Sequence, residues 1–114
     1  MNDATRMLRE ALIGQKLAAV TFILDYFQFQ FDGSVLTVYT EPKANLFQED
    51  IANYRDELCA LIAKIVTSVE EIPDTAIHID FGDYGRLTVP LDEDSKRQVE
   101  AAMFTPYGKA PWVW

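Results

Sequence analysis

Cysteine and histidine are almost missing from this chain: Cys59 and His78 are the only ones among 114 residues. A single thiol excludes an internal disulfide. One thiol and one imidazole also leave a dedicated zinc site short of ligands. Long apolar runs are lacking too. Asp3, Arg6, Arg9, Glu10 and Lys16 break up the N-terminal stretch, which argues against a signal peptide or a membrane span. A reducing, cytoplasmic setting is the expectation. Basic residues are scarce, ten against eighteen acidic ones, for a net charge of −8. That balance disfavours nucleic acid and anionic membranes as partners. Gly82, Gly85 and Gly108 form no phosphate-cradling motif. The carboxylates Asp80, Asp83 and Asp92-Glu93-Asp94 lack the alternate spacing, turn glycine and distal Glu of a calcium loop. No metal, no cofactor and no catalytic set is expected.

What is present is apolar and patterned. Hydrophobic residues make up 49% of the chain, enough for one folded domain over 1–114 and against disorder. Ala4, Met7, Leu8, Ala11 and Leu12 recur at helical spacing. Asp3 suits the start of that helix and Gly14 its end. From Leu17 the period falls to two. Val20, Phe22 and Leu24 share one phase, and Phe27, Phe29 and Phe31 the other. A turn at Asp25-Tyr26 reconciles them by pairing Leu24 with Phe27, Phe22 with Phe29 and Val20 with Phe31. Asp32-Gly33 is a hairpin signal that pairs Phe29 with Leu36 and Phe27 with Val38. Strands are thus expected near 17–24, 27–31 and 34–40. Residues 41–44 read as a connector. Asn45 with Gln48 suits a capping box, and Ile51, Tyr54, Leu58, Leu61, Ile62 and Ile65 mark a second helix over roughly 47–64.

The pattern then recurs. Ala11-Leu12-Ile13-Gly14 with Val20 matches Ala60-Leu61-Ile62-Ala63 with Val69 at an offset of 49. FQFQF (27–31) matches IHIDF (77–81), and LTV (36–38) recurs at 87–89. The sequence therefore predicts an internal repeat of 1–42 and 46–91, followed by a tail of 92–114. Strands are expected near 65–72, 76–82 and 86–91, with Val69, Ile77, Ile79, Phe81, Leu87 and Val89 in the core. Glu71 falls where Phe22 stands, which weakens its strand and suits an edge. The fold class is α+β: two helix–three-strand halves forming a mainly antiparallel curved sheet or half-barrel, with both helices on one face.

In the tail, Val99, Ala102 and Met103 suggest a short helix. Trp112 and Trp114 alternate around Val113 as an extended segment, and two indoles are candidate interface anchors unless they dock on their own domain. Leu12 to Gly14, Val20, Phe31 to Gly33 with Leu36 to Val38, Tyr54 to Ile62 and the terminal Trp112 and Trp114 together resemble small uncharacterised bacterial proteins. Those carry a duplicated helix plus strand-turn-strand unit (FDGxxLTV-like) and a terminal WxW. The resemblance implies a fold and a bacterial source. It transfers no activity and no catalytic residue.

Strand parity puts His78 and Asp80 on a polar sheet face with Gln28, Gln30 and Tyr39, the candidate binding face. A carboxylate beside an imidazole orients a general base, but no nucleophile is placed to use it. Cys59 reads as a structural thiol. An enzyme is not the expected reading. Three functions stay open. The first is a non-catalytic protein-binding module, such as an immunity-type antitoxin for a basic toxin. The second is a homodimeric structural protein, and the third is a small-ligand-binding domain on the polar face.

Overall fold

A computed structural model describes residues 2–114. Its helices are α1 (Asp3–Leu12) and α2 (Tyr54–Cys59). Its strands are β1 (Ala19–Ile23), β2 (Tyr26–Gln30), β3 (Val35–Val38), β4 (Lys43–Leu46), β5 (Ser68–Ile72), β6 (Ala76–Phe81), β7 (Gly85–Pro90), β8 (Ala102–Thr105) and β9 (Trp112–Val113). These strands make two antiparallel sheets rather than one curved sheet, and neither closes as a barrel. One is ordered β1-β2-β3-β8-β9 and the other β4-β7-β6-β5.

Alternation along the strands dictates what is buried. Phe29, Leu36, Val38 and Phe104 from the five-stranded sheet join Val69, Ile77, Ile79, Leu87 and Val89 from the four-stranded sheet in one core. Leu8, Leu12 and Leu58 close that core from the helices, and Leu61 from the turn after α2. Fully burying each such side chain stabilises the fold by about 1.5–3 kcal/mol.

Several expectations are corrected. Asn2, not Asp3, caps α1 by accepting from the Thr5 N–H at 2.7 Å. The first hairpin turns at Leu24-Asp25, so Phe22 faces Phe27 and Val20 faces Phe29. The slip is two residues, which keeps the apolar face but leaves Leu24 95% exposed at the tip. Asp32-Gly33 sets the second hairpin in the expected register.

Residues 43–46 are a strand and not a connector, and the helix expected over 47–64 shrinks to Tyr54–Cys59. Asn53 is its cap, accepting from the Arg55 and Asp56 N–H groups, so Asn45 and Gln48 form no capping box. Lys43-Ala44-Asn45-Leu46 pairs instead with the free side of β7, a partner far along the chain that local spacing does not reveal. Gly85 makes this pairing possible: a Cβ there would sit 2.7 Å from the Asn45 carbonyl oxygen. The helix hinted at by Val99, Ala102 and Met103 does not form: Ala102 and Met103 lie in β8, paired with β3, and Val99 lies exposed before it.

Between α1 and β1 the chain crosses the segment between α2 and β5. Gly14 N donates to Val66 O (2.9 Å) and Val66 N to Gln15 O (2.9 Å). Leu17 N donates to Lys64 O (3.1 Å) and Ala63 N to Leu17 O (2.7 Å). Gly14 and Ala63 both turn there with positive φ, 90° and 74°. Glycine adopts that region freely, whereas a Cβ costs about 1–2 kcal/mol. Replacing Ala63 with Gly should therefore raise stability by about 1 kcal/mol, and Gly14→Ala should lower it by about as much. Urea unfolding of the two variants checks the opposite signs.

Candidate functional site

The five candidate face residues do not assemble. Gln28, Gln30 and Tyr39 lie in or beside β2 and β3 of the five-stranded sheet, and His78 and Asp80 lie on β6 of the four-stranded sheet. On both sheets they occupy the face turned away from the shared core, but these are two different surfaces.

On the four-stranded sheet, Asp80 is engaged by Arg86 directly across the ladder. Nε approaches Oδ1 at 2.6 Å and Nη2 approaches Oδ2 at 3.2 Å. The paired carboxylate holds the Arg86 guanidinium above its usual range. His78 is left with the Thr88 hydroxyl, 3.1 Å from Nδ1. Among the described residues no carboxylate is hydrogen-bonded to this imidazole, and the hydroxyl beside it is that of Thr88. Glu70 and Lys43 complete a charged, partly solvated surface.

The five-stranded sheet presents something different. Its outward residues are Ala19, Thr21 and Ile23 on β1, Tyr26, Gln28 and Gln30 on β2, and Val35 and Thr37 on β3 with Tyr39 just beyond it. Met103 and Thr105 on β8 and Val113 on β9 continue the face. None of them is charged. The Gln28 amide donates to the Thr37 hydroxyl at 3.3 Å, and the Tyr26 and Tyr39 rings pack tilted at 5.7 Å.

The two tryptophans dock on their own chain. Trp114 packs against the core, and its backbone pairs with Ala101 and Ala102. Its indole Nε1–H donates to Glu71 Oε2 at 2.7 Å, while the Asn2 amide donates to Glu71 Oε1 at 2.8 Å. Trp112 lies beside it with ring centroids 6.4 Å apart and stays 38% exposed. Glu71 thus joins the two termini on β5, an edge strand. Sequence reasoning left Glu71 as a misfit among core positions. A carboxylate in an apolar strand phase was itself the signal that a polar partner would come to it. The same edge is covered by α1: Glu71 N donates to the Thr5 hydroxyl (2.9 Å) and Arg9 Nε to Val69 O (2.7 Å).

Among the described residues no group of three metal-ligating side chains comes together. The main clefts are open troughs of up to about 330 Å³. One holds Lys43, Lys96 and Arg97 beside Glu41 and Asp94, so its charges largely offset each other. His78, Asp80, Gln28 and Gln30 line none of these main clefts. Cys59 is half-buried and free in α2. Among the described residues no helix is long and apolar enough to cross a membrane.

Tyr54 donates its hydroxyl to the Pro42 carbonyl oxygen, linking α2 to the segment before β4. Burial, with the nearby Glu41 carboxylate adding to it, pushes this phenol up to about 12 from 10.0. A phenol whose folded pKa lies above its unfolded one stabilises the fold fully below the unfolded value. That contribution is lost as pH rises from 10.0 through about 12. Tyr54→Phe should therefore flatten the alkaline fall in stability, measured by denaturant titration across that window. Glu71→Ala should lower stability by about 1–2 kcal/mol, chiefly by leaving the part-buried Trp114 indole N–H without its acceptor. It should also make Trp114 fluorescence more accessible to iodide, read in a Trp112→Phe background.

The chain matches no protein-family model, no curated protein and no solved structure, so its functional reading rests on its own residues.

Proposed function

We propose that this protein is a non-catalytic protein-binding module that takes a basic protein partner, as an immunity-type antitoxin does with a basic toxin. The observation that carries this reading is unneutralised acidity. Eighteen carboxylates face ten cations, and among the described residues only Asp3–Arg6, Asp80–Arg86 and Glu93–Lys96 form ion pairs. Asp25, Asp32, Glu41, Glu49, Asp50, Asp56, Glu70, Asp83, Asp94 and Glu100 are exposed. Such a field steers a cationic partner into encounter and favours it over acidic competitors. The Asp80 carboxylate, taken up by Arg86 rather than by His78, supports binding over catalysis.

We infer further that the chain is built from a repeated unit, residues 1–42 and 46–91. The crossing hydrogen bonds support this, because Gly14, Gln15 and Leu17 stand 49 positions before Ala63, Lys64 and Val66 and bond reciprocally to them. The Gln28–Thr37 and His78–Thr88 contacts occupy corresponding positions in the two meanders. The strand after each meander also pairs with the other one, β4 with β7 and β8 with β3.

Affinity capture on the immobilised chain tests the binding reading. At about 50 mM salt it should retain a protein of basic isoelectric point, and about 500 mM should release it, because screening shortens the reach of the acidic field. Retention of acidic proteins only, or retention indifferent to salt, would contradict it.

A further inference from the structure

We propose that the outer face of the five-stranded sheet is the contact surface for a second copy of this chain. The first argument is charge. Each copy carries −8, so most pairs of surfaces would set carboxylate against carboxylate. On this face no side chain is charged, and like-charged copies meet there without that cost. A basic partner finds nothing to neutralise on it. The surface is therefore separate from the acidic one assigned to that partner.

The second argument is self-complementarity. A twofold contact brings a surface against its own duplicate. The polar groups the face offers are the amides of Gln28 and Gln30 and the hydroxyls of Thr21, Thr105, Tyr26 and Tyr39, every one both a donor and an acceptor, while Thr37 is buried among them and accepts from Gln28. Such groups pair with their own kind; carboxylates and ammonium groups do not. The corresponding face of the four-stranded sheet fails this test, since Glu70, Asp80 and Lys43 stand on it. Ile23 and Val113, 37% and 48% exposed at opposite sides of the neutral face, supply apolar area to bury.

Size sets the strength. The strands β1, β2, β3, β8 and β9 have five, five, four, four and two residues, so at about 4.8 Å spacing and about 3.4 Å per residue the face spans about 330 Å² per copy, below the roughly 800 Å² per partner of a stable complex. The dimer is therefore weak, with a Kd on the order of 10–100 µM.

Sedimentation equilibrium of the full chain from about 1 µM to about 1 mM should show a monomer passing to a dimer over that range. Val35→Glu, or the isosteric Gln30→Glu opposite it across the ladder, should raise Kd at least about tenfold by setting carboxylates near the partner's. Thr88→Glu on the other sheet should leave Kd unchanged. Circular dichroism establishes that each variant is folded, and Gln30→Glu serves if Val35→Glu is not. Raising salt from about 50 to about 500 mM should tighten the dimer, because repulsion between acidic copies is screened. A monomer mass at about 1 mM, a Kd moved by Thr88→Glu but not by Gln30→Glu, or a dimer that salt dissolves would each overturn the proposal.

Discussion

The short crossing of residues 14–17 with residues 63–66 is the constraint on which the architecture depends. It is the place where the chain leading into β1 and the chain leading into β5 hold each other by backbone hydrogen bonds. β1 and β5, each an edge strand of its sheet, both start from this point, so the crossing sets where both meanders begin and brings their apolar faces to one core. Backbone bonds suit the task because they are indifferent to side-chain identity and strict about geometry. The cost falls on Gly14 and Ala63, whose positive φ the crossing imposes. Ala63 carries that strain without the glycine that relieves it at the matching place.

Edges are the second problem that two open sheets create, since unpaired strand backbone invites other chains. The β5 edge is answered by side chains. Arg9 and Thr5 of α1 take the backbone groups of Val69 and Glu71, and the Glu71 carboxylate gathers Asn2 and Trp114. A single carboxylate out of phase with its apolar neighbours thereby fixes the first helix, an edge strand and the C-terminal segment together. Near the β1 edge the contacts are of another kind. Arg55 of α2 lies over the Phe22 ring, 5.2 Å from its centroid, and Tyr54 packs edge-on against Phe27.

The distribution of charge follows from the same layout. Both sheets turn an apolar face to the common core, so function has the two outer faces to work with. One is charged and internally paired through Asp80 and Arg86; the other is neutral and rich in amides and hydroxyls. The acidity of the chain is carried on turns, helices and the four-stranded sheet. That segregation keeps the acidic surface and the neutral sheet face apart.

Most of the local structure was legible in the residues. Period-two alternation set the faces of β1, β2, β3, β6 and β7, and Asp32-Gly33 set the register of its hairpin, because both signals act between neighbours. The face also survived the misplaced first turn, since a slip of two residues preserves parity. The candidate binding face was not legible as a unit: parity told that Gln28 and His78 point away from the core but not that two sheets carry them apart. Tertiary structure alone decided that residues 43–46 and 102–105 are strands, that the second helix is short, and that Glu71 and Trp114 meet. Each of those outcomes depends on a partner dozens of residues away, such as Gly85 making room for Asn45. Hydrophobic spacing records which side of an element is buried; it carries no information on what buries it.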